Sequence, residues 1–500
     1  MARFLRTLGR YFIIFEVFLD HFFEYLKYRI FGGTPAFISP RDLRVILEDL
    51  GGSFLKFGQL AAVRPDYFPE EYRRELLGLL DDVPPIEPWL LDNIFLGEYG
   101  KRPEEVFQKF NREPFAAASL GQVHEAWLPE GERVAIKVQR PFVAEDFASD
   151  ARFFTFLGWA LRRSGVVRTV DPARVVRDFI HWTERELDYL KEAEHLLRLR
   201  EQVIRGKLHV EIPRVFGEYT TKRILVMEFV EGDTLKSYYL KKEPPPNPNK
   251  LFKDIIFYEL YSFLFDGFFH ADPHPANILI LPDGGLGFID AGIAIEVPVS
   301  DRKKMASFFE AVVREDLEGT IKTFLEMVKT PLLEVLNEAK ANYPQHWMRI
   351  QFIKNIFLRK LKDGLGELMR EWHGAYRPGG SLHQRSPMHK FVELFQLAER
   401  SGVRMPQASV FFTRTFLSVD AIILALAPDF NIPAAVKEFF EVHKEKTLVL
   451  QATPDEAPLY MRPEFKGEWA ELLRSFDEEL KAMDRELLME QVSGIMERLS

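Results

Sequence analysis

Three side chains between positions 272 and 290 are spaced for phosphate and metal chemistry. Asp272 is followed five residues later by Asn277, and thirteen residues after that by Asp290. Carboxylate and amide oxygens are hard donors, suited to a Mg²⁺ that bridges phosphate oxygens. The first stretch reads His270-Ala271-Asp272-Pro273-His274-Pro275-Ala276-Asn277, and Asp290-Ala291-Gly292 follows the apolar Phe288-Ile289. Far upstream, Val134-Ala135-Ile136-Lys137 ends an apolar run with one lysine. His270 and His274 stand four apart around Asp272, a spacing that invites a zinc reading. Pro273 and Pro275 exclude a regular helix there, so the two rings have no common helical face. Hydrogen bonding to the loop backbone is the expected use of these rings.

Lysine, aspartate, asparagine and aspartate in this order are the parts with which a protein kinase handles a nucleotide. There the lysine meets the α- and β-phosphates, the first Asp faces the acceptor, and the Asn and second Asp hold metal. Asp290-Ala291-Gly292 stands where kinases carry Asp-Phe-Gly, with Ala for Phe. One departure lies in the phosphate loop, Pro114-Phe115-Ala116-Ala117-Ala118-Ser119-Leu120-Gly121-Gln122-Val123-His124. Alanine replaces glycine, and each Cβ restricts the positive-φ conformations that glycine would permit. A second is an upstream segment, Lys56-Phe57-Gly58-Gln59, which by pattern alone is an amphipathic helix.

The elements that must position these residues follow from periodicity. The 500 residues are too many for one ordinary domain, and 47% apolar content supports a sizeable core. Residues 40 to 112 read as helix, broken at Pro84-Pro85 and Pro88. Val123 to Trp127 and Arg133 to Val138 read as strands joined by Pro129-Glu130-Gly131. Helix is expected from 141 to 206, a strand from Ile224 to Phe229, and an apolar helix over 250–269. Two short strands, Ile278 to Leu281 and Gly287 to Ile289, flank Asp283-Gly284-Gly285, and the pattern after Ser300 is helical. The expected class is α+β in two lobes, with a hinge near Glu231-Gly232.

Composition excludes several function classes. Sixty-six basic against seventy-five acidic residues, a net charge of −9, argue against a general nucleic-acid binder. The absence of cysteine removes disulfides, thiolate metal sites and cysteine nucleophiles. The apolar runs Tyr11 to Phe23, Ile255 to Phe269 and Phe411 to Ala427 are each interrupted by charge, so none reads as a membrane span. The first residues do not read as a signal peptide.

These motifs resemble the UbiB family of ABC1/ADCK/COQ8 atypical kinases. The resemblance rests on Lys56-Phe57-Gly58-Gln59, the Ala116-Ala117-Ala118-Ser119 loop with Gln122-Val123-His124, and Val134-Ala135-Ile136-Lys137. It rests also on Glu186-Leu187-Asp188 followed by Glu192-Ala193, Asp272 to Asn277, and Asp290. It implies a two-lobed kinase-like fold whose N-terminal helical extension covers the place of a peptide substrate. ATP binding and hydrolysis are therefore implied more readily than protein phosphorylation. Lys137 would contact the α/β-phosphates with Glu192 as its ion-pair partner, and 55 residues between them imply an inserted helical segment. Asp272 would take the catalytic-loop position, and Asn277 and Asp290 would hold Mg²⁺. Ala116, Ala117, Ala118 and Ser119 would border the phosphates, and the backbone near Glu228 and Val230 would meet adenine. Glu186 and Asp188 would face Lys56 and the nucleotide, with Gly58 and Gln59 on the Lys56 helix.

The expected divisions are an amphipathic helix (1–33), a helical extension (34–112), an N-lobe with helical insertion (113–232), a C-lobe (233–445) and a helical tail (446–500). The resemblance further implies ATP and Mg²⁺ as cofactors and a role in isoprenoid quinone synthesis. Quinone precursors or lipid, quinone-biosynthesis proteins and a membrane surface are the implied partners. The expected location is cytoplasmic, peripheral to the inner membrane. A true kinase and a nucleotide- and lipid-binding scaffold are the alternatives. Many bacterial members end in paired membrane helices, whereas the last segment here, with Trp469, Leu472, Phe476 and Leu480, reads as an amphipathic helix. Residues 3 to 30 carry a narrow polar stripe that includes Arg3, Arg6, Arg10, Glu16 and Asp20, beside a wide apolar face. That helix is expected either to pack on its own domain or to lie on a membrane, its arginines at the headgroups.

Overall fold

The protein is described by a computed structural model. It describes residues 39–62, 70–76, 85–117, 120–164, 172–271, 273–342 and 407–454, with shorter pieces within 9–19, Leu79, and pieces within 345–370. The chain divides into two compact units. The first holds Met1–Ser262, Phe268–Ile295 and Phe412–Phe430, and the second Phe263–Gly267, Glu296–Phe411 and Asn431–Ser500. Every candidate site residue falls in the first.

The first unit begins with helices α1 (Pro40–Leu50), α2 (Gly52–Ala62) and α3 (Glu70–Leu76), then α4 (Pro88–Tyr99) and α5 (Pro103–Val106). Helix α1 starts with a reciprocal cap: Ser39 accepts from the Asp42 N–H while Asp42 accepts from the Ser39 N–H. Next come strands β1 (Lys109–Phe110), β2 (Ala116–Ala117), β3 (Gly121–Trp127) and β4 (Arg133–Gln139). The β3–β4 hairpin closes as expected, with Gly131 at φ +92°, a conformation that costs glycine little. Sheet order is β1-β3-β4-β6, with β6 spanning Ile224–Glu228 and β2 also pairing with β3.

Alternation along β4 decides the site. Val134, Ile136 and Val138 enter a core with Phe95, Phe107 and Phe110. Period two then sends Lys137 to the opposite face. Among the described residues, the α-helices between β4 and β6 are α6 (Val143–Ser164), α7 (Pro172–Glu186) and α8 (Tyr189–Gly206). Phe147, Phe154 and Phe179 from α6 and α7 pack with Phe54 and Leu47 of the upstream helices. This second core joins the upstream segment to the helices inserted between Lys137 and Glu192.

A second sheet, in the order β5-β10-β9-β7, contains β5 (Val210–Glu211), β7 (Asp233–Thr234), β9 (Ile278–Ile280) and β10 (Leu286–Phe288). Between β7 and β9 lie α9 (Leu235–Lys241), α10 (Pro248–Tyr261) and β8 (Phe268–His270). The expected helix over 250–269 is thus corrected: it ends at Tyr261, passes through a π-helical turn at Ser262–Asp266, and 268–270 is strand. Tertiary burial on all sides made that stretch uniformly apolar, and periodicity cannot then separate strand from helix. The expected helix over 40–112 likewise stops short, since Lys109–Phe110 is strand.

In the second unit, α11 (Val299–Val313) packs against α12 (Leu317–Asn342), α14 (Ile432–Val442) and α15 (Lys444–Ala452). Lys303 donates to the Thr453 carbonyl at 2.9 Å, and Gln451 donates to Ser307 at 2.9 Å. Helix α13 (Gln407–Leu426) belongs partly to each unit. Its Ala408–Leu426 stretch is long and apolar enough to cross a membrane by length and composition alone, and 72% of that window is buried inside the protein, as in a core helix.

The N-terminal helix lies mostly outside the described residues, but 9–17 bear on the expectation made for it. Arg10 donates Nε to Asp150 Oδ1 at 2.9 Å and Nη2 to Oδ2 at 2.9 Å, and Ile14 joins the core of Phe54 and Phe154. Arg10 is therefore a packing residue with an internal carboxylate partner, as the first of the two readings expects, and is not free for lipid headgroups as the second requires. Phe12 and Phe15 point outward, 67% and 62% exposed. The helical tail expected over 446–500 lies outside the described residues beyond 454.

Candidate functional site

The centre of the site is an ammonium held by two carboxylates. Lys137 Nζ lies 2.8 and 2.9 Å from the Glu192 carboxylate oxygens and 2.7 Å from Asp290 Oδ2. Glu192 is reached because Asp188 caps α8, accepting from the Leu190 N–H at 3.2 Å, which sets Glu192 on the first turn. Glu192 is 2% exposed, Lys137 20% and Asp290 31%, so the cluster is sealed on the helix side and open on the aspartate side.

Electrostatics within the cluster are uneven. Burial pushes the Lys137 ammonium down, but the Asp290 and Glu192 charges outweigh it and hold the group well above the ordinary lysine range. Burial pushes Asp290 up, but Lys137 overrides this and holds its carboxyl well below the usual range. Glu192 is pushed up to about 7, first by burial and then by the Asp290 charge, against the pull of Lys137.

Two histidines fix the backbone that carries Asp290. His270 Nε2 donates to the Asp290 carbonyl, and His195 Nδ1 donates to the Ala291 carbonyl at 2.8 Å. The Gly292 N–H donates to Asp290 Oδ1 at 3.0 Å. His274 Nδ1 accepts from the Ala276 N–H at 3.3 Å. Asn277 adjoins Asp290 through the β9–β10 pairing, its carbonyl accepting from the Ile289 N–H at 3.1 Å. An amide oxygen and a half-open carboxylate are a donor set that fits Mg²⁺, which takes one or two protein carboxylates and completes its shell with phosphates and water. Among the described residues, no group of three or more His, Cys, Asp or Glu side chains could hold a metal ion.

Upstream, Lys56 Nζ pairs with Glu186 Oε2 at 2.7 Å. Asp188 does not join that pair. Its described side-chain bond is the α8 cap, accepting from the Leu190 N–H. Gly58 is a packing position, since a Cβ there would meet Leu79 Cδ1 at 2.2 Å and Leu47 Cδ1 at 2.8 Å. Gln59 lies in α2, its side chain outside the described residues. Asp272, Ala118 and Ser119 are likewise outside them.

Ala116 and Ala117 pair in β2 with Val123 and Gln122. They are extended, so their Cβ atoms meet no positive-φ conflict there. Phe115, just before them, packs edge-on to Phe229 at 5.5 Å, one residue past Glu228. Glu228 closes β6, and its N–H donates to the Arg214 carbonyl at 2.8 Å. Val230 lies near Gly287, where a Cβ would stand 3.5 Å from Val230 Cγ1. Gln122 and His124 turn inward. Gln122 Oε1 accepts from the Ile86 N–H at 2.7 Å, its amide donates to His124 Nε2 at 2.7 Å, and His124 Nδ1 donates to the Asn111 carbonyl at 2.9 Å. They tie the sheet to the chain entering α4.

Sequence reasoning missed Tyr189 and His195. The Tyr189 ring lies 5.2 Å from Lys137 Nζ, and its buried hydroxyl has no partner among the described residues. A Cβ on Gly121 would stand 2.5 Å from that hydroxyl. The available signal was position: Tyr189 follows the Glu186-Leu187-Asp188 motif directly, and His195 lies one turn beyond Glu192.

Comparison with known proteins agrees with this architecture. The family model of the ABC1 atypical kinase-like domain matches residues 78–324. An uncharacterized Synechocystis protein is 31% identical over 305 residues, which cover 59% of this chain and 74% of that one. The probable protein kinase UbiB of Pseudomonas fluorescens is 28% identical, covering 86% of this chain and 77% of its own. The chloroplastic protein Activity of BC1 Complex Kinase 7 of Arabidopsis thaliana is 28% identical over 78% of this chain, which spans only 52% of that relative's length. Among solved structures, Mycobacterium tuberculosis Rv3197, in complex with erythromycin, aligns over 87% of this chain at 20% identity and TM-score 0.48. With its mixed helix and sheet and its lysine–glutamate–aspartate cluster, the chain belongs to the ABC1 atypical kinase-like family, in which it stands beside the UbiB proteins.

Proposed function

We propose that the chain binds MgATP and hydrolyses it in support of isoprenoid quinone synthesis at a membrane surface. The observation that carries the nucleotide reading is the Lys137 ammonium held between Glu192 and Asp290. Glu192 keeps Lys137 extended from β4, where it would meet the α- and β-phosphates. Asn277 and Asp290 would hold the metal ion, which would supply charge neutralisation for the phosphates. The Gly292 N–H keeps one Asp290 oxygen oriented, and the other, now paired with Lys137, would be available to the ion. Asp272 would orient the attacking water. The Ala116–Ser119 loop would border the phosphates, and the backbone at Glu228 and Val230 would receive adenine.

Hydrolysis is favoured over transfer to a protein hydroxyl by the Lys56–Glu186 pair, which anchors the upstream segment beside the motif that leads into α8. The quinone role, the membrane and the quinone-biosynthesis partners come from the UbiB resemblance, and relatives named as probable protein kinases keep phosphotransfer as the second reading. The test runs phosphate release from MgATP beside transfer of labelled γ-phosphate to protein and to small hydroxyl acceptors. Release without transfer, abolished by Asp290→Asn, supports hydrolysis. Transfer without net release establishes the kinase reading. Neither activity, with an unchanged MgATP thermal shift in Asp290→Asn, removes Asp290 from the site.

A further inference from the structure

Helix α6 has an outward face that its role in the core does not explain. Phe147 and Phe154 point inward, whereas Arg152, Thr155, Phe156, Trp159, Arg162 and Arg163 are all exposed. At 100° per residue these six fall within about 120° of arc and along about 16 Å of helix. Phe156 is 62% exposed and Trp159 57%, their ring centroids 6.0 Å apart. No carboxylate stands among the six, in a chain whose net charge is −9. Of the helix's three carboxylates, Glu145 and Asp146 lie in the first turn and Asp150 is buried against Arg10.

Single exposed apolar residues are ordinary, but two adjacent aromatics flanked by arginines on one convex stripe are a defined chemistry. Six residues fall well short of the roughly 20–30 a side that a stable protein interface engages. A narrow stripe on a helix instead fits a plane, with rings at the polar–apolar boundary and guanidiniums at anionic headgroups.

We propose that this stripe of α6 is the surface through which the chain rests on an anionic lipid bilayer. Phe156 and Trp159 enter the interface, and Arg152 and Arg163 engage headgroup phosphates. The proposal rests on the membrane reading above and supplies its contact surface.

The test is co-sedimentation of the full chain with phosphatidylcholine vesicles, with and without phosphatidylglycerol. Wild type should bind the anionic vesicles. Phe156→Ala/Trp159→Ala and Arg152→Glu/Arg163→Glu should each lower the partition coefficient about tenfold, with thermal unfolding unchanged. Brominated acyl chains should quench wild type more than Trp159→Phe, a readout that holds even where the alanine pair fails to fold. Undiminished binding by both pairs, with equal quenching, overturns the stripe and leaves the membrane reading to another surface. No binding by wild type overturns both. A lipid-free dimer by light scattering, lost in both variants, assigns the stripe to a second copy and overturns the bilayer proposal.

Discussion

Lys137 and Glu192 stand 55 residues apart in sequence and 2.8 Å apart in space. Helices α6 and α7 fill the interval between them, and α8 returns to β4 with Glu192 on its first turn. The pair is asymmetric, since Glu192 is 2% exposed while Lys137 keeps a second carboxylate, Asp290, on its open side.

Removing Lys137 should therefore cost more than removing Glu192. Lys137→Met leaves Glu192 buried beside Asp290 with no cation, a loss of about 3–5 kcal/mol. Glu192→Gln leaves Lys137 paired with Asp290 and should cost less. Urea unfolding of both variants and their double mutant measures the difference. Equal losses would show that Asp290 does not hold Lys137.

The Glu192 carboxyl also sets a pH dependence. Its folded-state value, about 7, lies above the ordinary 4.5, so the folded protein binds a proton that the unfolded chain releases across that interval. The group's contribution to stability is full below about 4.5 and is lost as pH rises through about 7. The stability of wild type relative to Glu192→Gln should fall across that window. A flat difference would place the carboxyl in the ordinary range.

Gly121→Ala should destabilise by about 1–3 kcal/mol, the usual cost of overpacking. Its Cβ would stand 2.5 Å from the Tyr189 hydroxyl and 2.7 Å from the Val138 carbonyl. Tyr189→Phe removes the first conflict and not the second. Thermal unfolding of the double variant should thus show partial rescue, whereas additive losses would separate the two positions.

Arg10→Ala should destabilise the first unit even though it lies far from the site. Asp150 is fully buried, and Arg10 meets both of its oxygens. Its loss strands a buried carboxylate, at about 3 kcal/mol or more, while Arg10→Ala/Asp150→Asn should recover part of that. Chemical denaturation decides. No loss in the single variant would favour the membrane-surface reading of this segment over the packing one.

The sequence by itself determined the motif chemistry and the fold class. Val134-Ala135-Ile136-Lys137 shows its strand because alternation is a property of neighbours, and Pro129-Glu130-Gly131 shows its turn because glycine there relieves a local strain. The Asp272-to-Asn277 and Asn277-to-Asp290 spacings likewise need only counting. The tertiary structure alone decided the rest. Strand β8 was hidden because uniform burial erases period, and α8 brings Tyr189 and His195 to the site at positions that no local rule marks. Asp188 reads in its motif as a residue facing Lys56, and the fold adds a second use at a helix start, where its carboxylate accepts from the Leu190 N–H. Arg10 reads as surface charge in a polar stripe, and only the fold supplies Asp150, 140 residues away, as its partner. Pattern reports which side of an element is polar; which charge stands opposite depends on contacts distant in sequence.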